Sequence, residues 1–204
     1  MKLDAYFDRA MRTNTWPPLP VPDGIRYVEP EARAALSGWL TRRALDTREV
    51  GRMIDVGFLS GRYLDQLDPS IRTDGIDIST VAVEQIRARR EGTYLHASVT
   101  DIPFPDRTYD WANCVSVLEY VEPSHQPEAL AELARILKPG GILTVSFPNA
   151  SDEGGRKYAR MERFLGVPYS LFDLEDVISL VSGPFSFIDY ETIGMSHAVV
   201  ARHA

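Results

Sequence analysis

The sequence predicts one doubly wound α/β domain, mostly parallel, ending in an antiparallel strand hairpin. Three observations carry this. From residue 53 onward, short apolar runs alternate with segments of helical period, the pattern of parallel strands joined by right-handed crossovers. The first apolar run ends in a glycine turn that leads into another element. The tail breaks the alternation, because residues 185–192 and 197–202 read as successive strands joined by a short turn at Gly194.

The elements follow in order. Residues 1–14 could form a short amphipathic helix. Trp16 to Pro22 carries four prolines, which fix φ and predict an extended segment. Pro30 suits a helix start, and Ala34, Ala35, Leu36, Trp39, Leu40 and Leu45 keep a helical period to about residue 46. Residues 1–48 thus read as an N-terminal segment packed on a core of residues 49–204. Within the core, strands are expected at 53–56, 75–78, 93–95, 111–115 and 142–147. Helices are expected at 62–67, 81–90 (capped by Ser79 or Thr80), 127–137 and 174–181. Lys138-Pro139-Gly140-Gly141 reads as a helix stop.

The 204 residues fit one domain, and a 44% hydrophobic share supplies a core without cross-links. Lys and Arg number 22 against 29 Asp and Glu, a net charge of −7, which argues against a large nucleic-acid footprint. The lone cysteine, Cys114, allows no internal disulfide. No apolar run reaches the roughly 18–20 residues of a membrane span, and no signal-peptide pattern opens the chain. A cytoplasmic location is the simplest expectation. The histidines, the cysteine and the acids show no metal-ligand spacing.

The turn Asp55-Val56-Gly57-Phe58-Leu59-Ser60-Gly61 lies after the first strand. Gly57 permits a tight turn and close approach of a ligand to the backbone, and Gly61 lets the next element pack close. Two such glycines could also be purely structural. Asp77 ends the second strand about 20 residues later, where nucleotide-binding folds place an acid for a ribose diol. Its alternative is a capping or solvated aspartate.

Across residues 50–148 the sequence resembles the class I S-adenosylmethionine-dependent methyltransferases. The resemblance is carried by Asp55-x-Gly57-x-Leu59-x-Gly61, by Gly75-Ile76-Asp77-Ile78-Ser79, and by Asp101-Ile102-Pro103-Phe104-Pro105-Asp106. Tyr109-Asp110 and Val117-Leu118-Glu119-Tyr120-Val121 follow, then Leu133-x-x-Ile136-Leu137-Lys138-Pro139-Gly140-Gly141. It implies a Rossmann-like fold and S-adenosylmethionine as cofactor, with no metal. By position, Asp55 and Gly57 would border the methionine end, Phe58 and Gly61 would also belong to the cofactor site, and Asp77 would hold the ribose. Ile78 would pack on adenine, Ser98 and Val99 would lie at its edge, and Val115 and Ser116 would line the transfer centre. The chain departs from the family at Leu59, where a third glycine is usual, at Ser98, where an acid is common, and at Tyr120, where a histidine is common.

Glu119, Tyr120 and His125 follow the fourth strand and are the candidates for a base, if the acceptor must lose a proton. Each could instead be structural. Asn149 could face substrate or start a turn. Residues 150–172 are long for a connection and are a candidate lid, in which Arg160 and Arg163 would favour an acidic acceptor. The same residues could form a solvated helix with a core-facing stripe. Tyr6, Phe7 and Trp16 could roof the pocket or simply pack. The leading expectation is methyl transfer to an oxygen, nitrogen or carbon of a small molecule. A non-catalytic methyltransferase-like binding or regulatory module is the alternative, and a nicotinamide oxidoreductase is less favoured. Oligomeric state is not readable.

Overall fold

The computed structural model describes residues 2–21, 30–47 and 49–204. Seven strands form one sheet: β1 (Arg52–Val56), β2 (Arg72–Asp77), β3 (Tyr94–His96), β4 (Tyr109–Cys114), β5 (Leu137–Pro148), β6 (Phe185–Ile193) and β7 (Ser196–His203). Their order across the sheet is β3-β2-β1-β4-β5-β7-β6. β1 to β5 pair in parallel, while β7 lies antiparallel to both β5 and β6. The mixed, doubly wound architecture read from the sequence is therefore the one adopted. The helices are α1 (Leu3–Thr13), α2 (Pro30–Thr47), α3 (Thr80–Arg87), α4 (Gln126–Ile136), α5 (Glu153–Phe164) and α6 (Leu174–Val181).

The period of two along each strand explains the two apolar layers. Ile54 and Val56 of β1 join Ala112, Cys114, Leu143 and Val145, and pack with Leu130 and Leu133 of α4 and Val177 and Val181 of α6. Met53, on the other face, joins Trp111, Ile142 and Val200, under Leu36, Trp39 and Leu40 of α2 and Ala82, Val83 and Ile86 of α3. A third cluster sits off the sheet, where Tyr6 of α1 meets Tyr120, Tyr158, Met161 and Tyr169.

Four local expectations are corrected. Residues 62–67 are not a helix but a single 3-10 turn at Leu64–Gln66. The turn hugs α3, and a Cβ on Gly61 would meet the Ile86 Cδ1 at 2.7 Å. Helix α4 does end at the stop signal, at Ile136, but β5 begins at Leu137, ahead of the expected residue 142, with Gly140 at φ 73°. Trp16 to Leu19 bends rather than extends, and Pro22 lies outside the described residues. Strand β3 lies one residue later than expected.

Neighbouring strands β1 and β4 lead their chain in opposite directions across the sheet, so a crevice opens past their carboxyl ends. The candidate site lies there.

Candidate active site at the strand switch point

Three structural facts shape the floor of the crevice. Gly57 holds φ 75°, and a Cβ there would run into the Cγ2 of Val117, so only glycine closes this turn. Its amide donates to the Ile76 carbonyl at 2.8 Å. Leu59 also adopts the left-handed region, at φ 44°, as does Ser116 at φ 57°. Such conformations cost a non-glycine residue about 1–2 kcal/mol each, and strain of this kind gathers at ligand sites. At Leu59 the cost is offset by a hydrogen bond from its amide to the Asp77 Oδ2, 2.7 Å.

Two buried aspartates face the crevice. Asp77 Oδ1 accepts from the Ser79 amide at 2.8 Å, so this carboxylate pins both the glycine turn and the start of α3, where Ser79 is the cap. Burial pushes its pKa up to about 6 against the pull of those two amides. Asp55 stands in register with Asn113 across β1 and β4. Burial, opposed by the Asn113 hydrogen bond and reinforced by Asp77, pushes it up to about 7.

A polar chain runs through the sheet to Asp55. The Trp111 Nε1 donates to Thr144 Oγ1 (2.8 Å), Thr144 donates to Asn113 Oδ1 (2.8 Å), and Asn113 Nδ2 donates to Asp55 Oδ1 (2.7 Å). The other oxygen, Asp55 Oδ2, is buried without a partner.

The cavity above this floor has a volume of about 760 Å³. Asp55, Gly57, Phe58, Asp77, Ile78, Ser98, Val99, Val115, Ser116, Tyr120 and His125 line it, as does Leu59. Of the residues expected to bind cofactor, Gly61 is the one outside the lining, because it packs against α3. The Ser98 hydroxyl pairs with Thr100 Oγ1 at 2.8 Å.

The proposed catalytic and substrate residues divide. Glu119 is buried off the cavity, and its carbonyl accepts from the Ser170 amide. Tyr120 lines the cavity with its ring, but its hydroxyl donates to Glu162 at 3.4 Å, and burial among Tyr158, Glu162 and Tyr169 pushes its pKa far up. It is unsuited to act as a base. His125 lines the rim and is exposed.

Asn149 makes a turn, its Oδ1 accepting from the Ser151 amide. Arg160 is exposed and Arg163 donates to the Tyr169 carbonyl; none of residues 150–172 lines the cavity. Helix α5 lies one layer out, with its apolar stripe on α1 and Tyr120. The roof comes from the N-terminus instead, through Leu3, Phe7, Met11 and Trp16.

What holds α1 in place was not readable in the sequence. Asp8 accepts from Ser79 Oγ (2.7 Å), Thr80 Oγ1 (3.0 Å) and the Val81 amide (3.2 Å) at the start of α3. Those bonds and Arg12 outweigh partial desolvation and hold the Asp8 carboxyl below its usual range. On the other side, Tyr6 donates to the fully buried Glu162 at 2.7 Å. A capping motif could hint at Ser79, but no local pattern links Asp8 to it across 71 residues.

A family model described as a methyltransferase domain matches residues 54–145. A 37.1 kDa transposon-encoded protein of Streptomyces fradiae is 36% identical over 142 residues, covering 63% of this chain and 40% of that one. The O-methyltransferase rstn1 of Aspergillus nomiae is 27% identical over 142 residues, 60% of this chain and 62% of that one. The matches thus span less than two thirds of either relative. Among solved structures, the N-methyltransferase NodS of Bradyrhizobium japonicum, in complex with S-adenosylhomocysteine, superposes with a TM-score of 0.71 at 17% identity, covering 98% of each chain. That likeness establishes the fold. The matched domain spans the glycine turn, Asp77 and the segment after β4, so residues 54–145 are similar to a methyltransferase domain and the chain shares the fold of that class.

Proposed function

We propose that the chain binds S-adenosylmethionine at the switch point and transfers its methyl group to an oxygen, nitrogen or carbon of a small-molecule acceptor. The observation that carries this reading is Asp55. A buried carboxylate oxygen without a partner is costly, and here it belongs to a residue lining the cavity. A ligand ammonium, such as that of a methionyl group, would satisfy it. Asp77 keeps lone pairs beyond the two amides it holds, enough to accept from a ribose diol. Ile78, Ser98 and Val99 line the same cavity and would pack against adenine, and Val115 and Ser116, which follow β4 and also line it, would border the transfer centre.

Held by Asp55 and Asp77, the cofactor would supply a methyl group activated by its positively charged sulfur, which would keep the bonding pair as a neutral thioether when the acceptor's electron pair takes the carbon. The protein's part is positioning and exclusion of water. Gly57 and the Leu59 amide shape the loop, the roof on α1 covers the centre, and His125 is the group on the rim to take a proton from the acceptor.

Calorimetric titration with S-adenosylhomocysteine, with and without chelator, tests this. Binding unaffected by the chelator is expected. Absence of heat at millimolar ligand refutes the cofactor assignment.

A further inference from the structure

The chemistry of the cavity roof points to an acceptor class. Phe7 and Trp16 stack with centroids 5.8 Å apart at 25°, and Phe7 meets Tyr120 edge-on at 5.2 Å. All three rings line the cavity, as do Ser116 and Val117, which follow β4. The Tyr120 hydroxyl is turned toward Glu162, so the residue offers ring rather than oxygen to a ligand.

Charge is placed elsewhere. Among the described lining residues, the permanent cation is Arg62, which belongs to the segment after the glycine turn and not to the ring wall. Asp55 and Asp77 lie at the strand ends below and would repel an anion. A carboxylate seated against the rings would lose its hydration and meet no permanent cation among the ring residues. A flat ring would meet ring edges and faces, worth more than area burial alone. The volume of about 760 Å³ lies high in the range for a drug-sized ligand, about 300–1,000 Å³, which leaves room for a small ring beside the cofactor.

We propose that the acceptor is an uncharged planar aromatic compound held by Phe7, Trp16 and Tyr120, with Phe7 and Trp16 as specificity-determining residues. The proposal rests on the cofactor reading above, and replaces the acidic acceptor expected from Arg160 and Arg163.

The test uses the full chain in three titrations: S-adenosylhomocysteine first, then 2-naphthol and glutarate, each onto the saturated complex. Naphthol is expected to bind and glutarate to stay silent. Phe7→Leu and Trp16→Leu keep apolar bulk but remove a ring. Each should weaken naphthol about three- to tenfold, the scale of an aromatic pair, without a comparable loss of S-adenosylhomocysteine affinity. Glutarate binding while naphthol is silent overturns the proposal, as does silence from both, or naphthol binding indifferent to both substitutions. Failure of S-adenosylhomocysteine itself to bind refutes the cofactor reading and this proposal with it.

Discussion

At the scale of single residues, the site is governed by two carboxylates whose burial works against their charge. Asp77→Asn leaves an oxygen for one backbone amide but removes the charge. It should weaken S-adenosylhomocysteine by about 1.5–3 kcal/mol, the scale of hydrogen bonds to a charged group, read by calorimetry on a variant shown folded by its melting transition. Asp55 predicts a pH effect of definite sign. Its pKa in the ligand-free protein stands near 7, above the ordinary 3.8. The folded state therefore holds its proton longer than the unfolded chain, and this contribution to stability is present at low pH and lost as pH rises through about 7. Asp55→Asn should flatten that fall in melting temperature. A ligand ammonium needs the ionised form, so S-adenosylhomocysteine affinity should rise between pH 5.5 and 8, with proton release, and lose this rise in Asp55→Asn. A pH-independent affinity in the wild type would separate Asp55 from the ammonium.

At the scale of elements, the N-terminal helix matters most. Helix α1 carries part of its own apolar stripe into the cavity roof, and it is tied at both sides, by Asp8 to the start of α3 and by Tyr6 to Glu162 on α5. The Asp8 contacts add a charge at a helix N-terminus, where the free amides favour it. Asp8→Ala should cost about 1–2 kcal/mol, for charge-assisted bonds at a partly exposed site. Limited trypsin digestion should then cut faster after Arg9 and Arg12. Unchanged cleavage would mean that the apolar contacts alone hold the helix.

At the scale of the whole molecule, the polar chain from Trp111 through Thr144 and Asn113 to Asp55 ties three strands to the site. Thr144 is fully buried, and it both accepts and donates in that chain. Thr144→Val keeps the shape and leaves the indole N–H and the Asn113 oxygen unpaired. Denaturant unfolding should show a loss of about 1–3 kcal/mol per group stranded in the core. Because Asn113 orients Asp55, cofactor affinity should fall as well. A stable variant with unchanged affinity would show that Asp55 needs no such support.

The sequence by itself determined the alternation of strands and helices, the terminal hairpin, a cap at Ser79 or Thr80, and the glycine turn at Gly57 with Asp77 about 20 residues on. All of these rest on local pattern: period, turn chemistry and short spacing. The stop signal at Lys138 to Gly141 marked the helix end, but the strand start at Leu137 was missed, because glycine permits an extended continuation as readily as a turn. Only the tertiary structure decided which segment roofs the cavity. Residues 150–172 and residues 3–16 both carry apolar stripes, and periodicity says that a face is buried, not against what. Packing placed α1 over the crevice and α5 behind it, through Asp8 with Ser79 and Tyr6 with Glu162, contacts between residues 71 and 156 positions apart. Such contacts leave no mark in a local sequence window. The charge of the roof was misread for the same reason, since Arg160 and Arg163 lie on the solvent side of a helix whose apolar face looks inward.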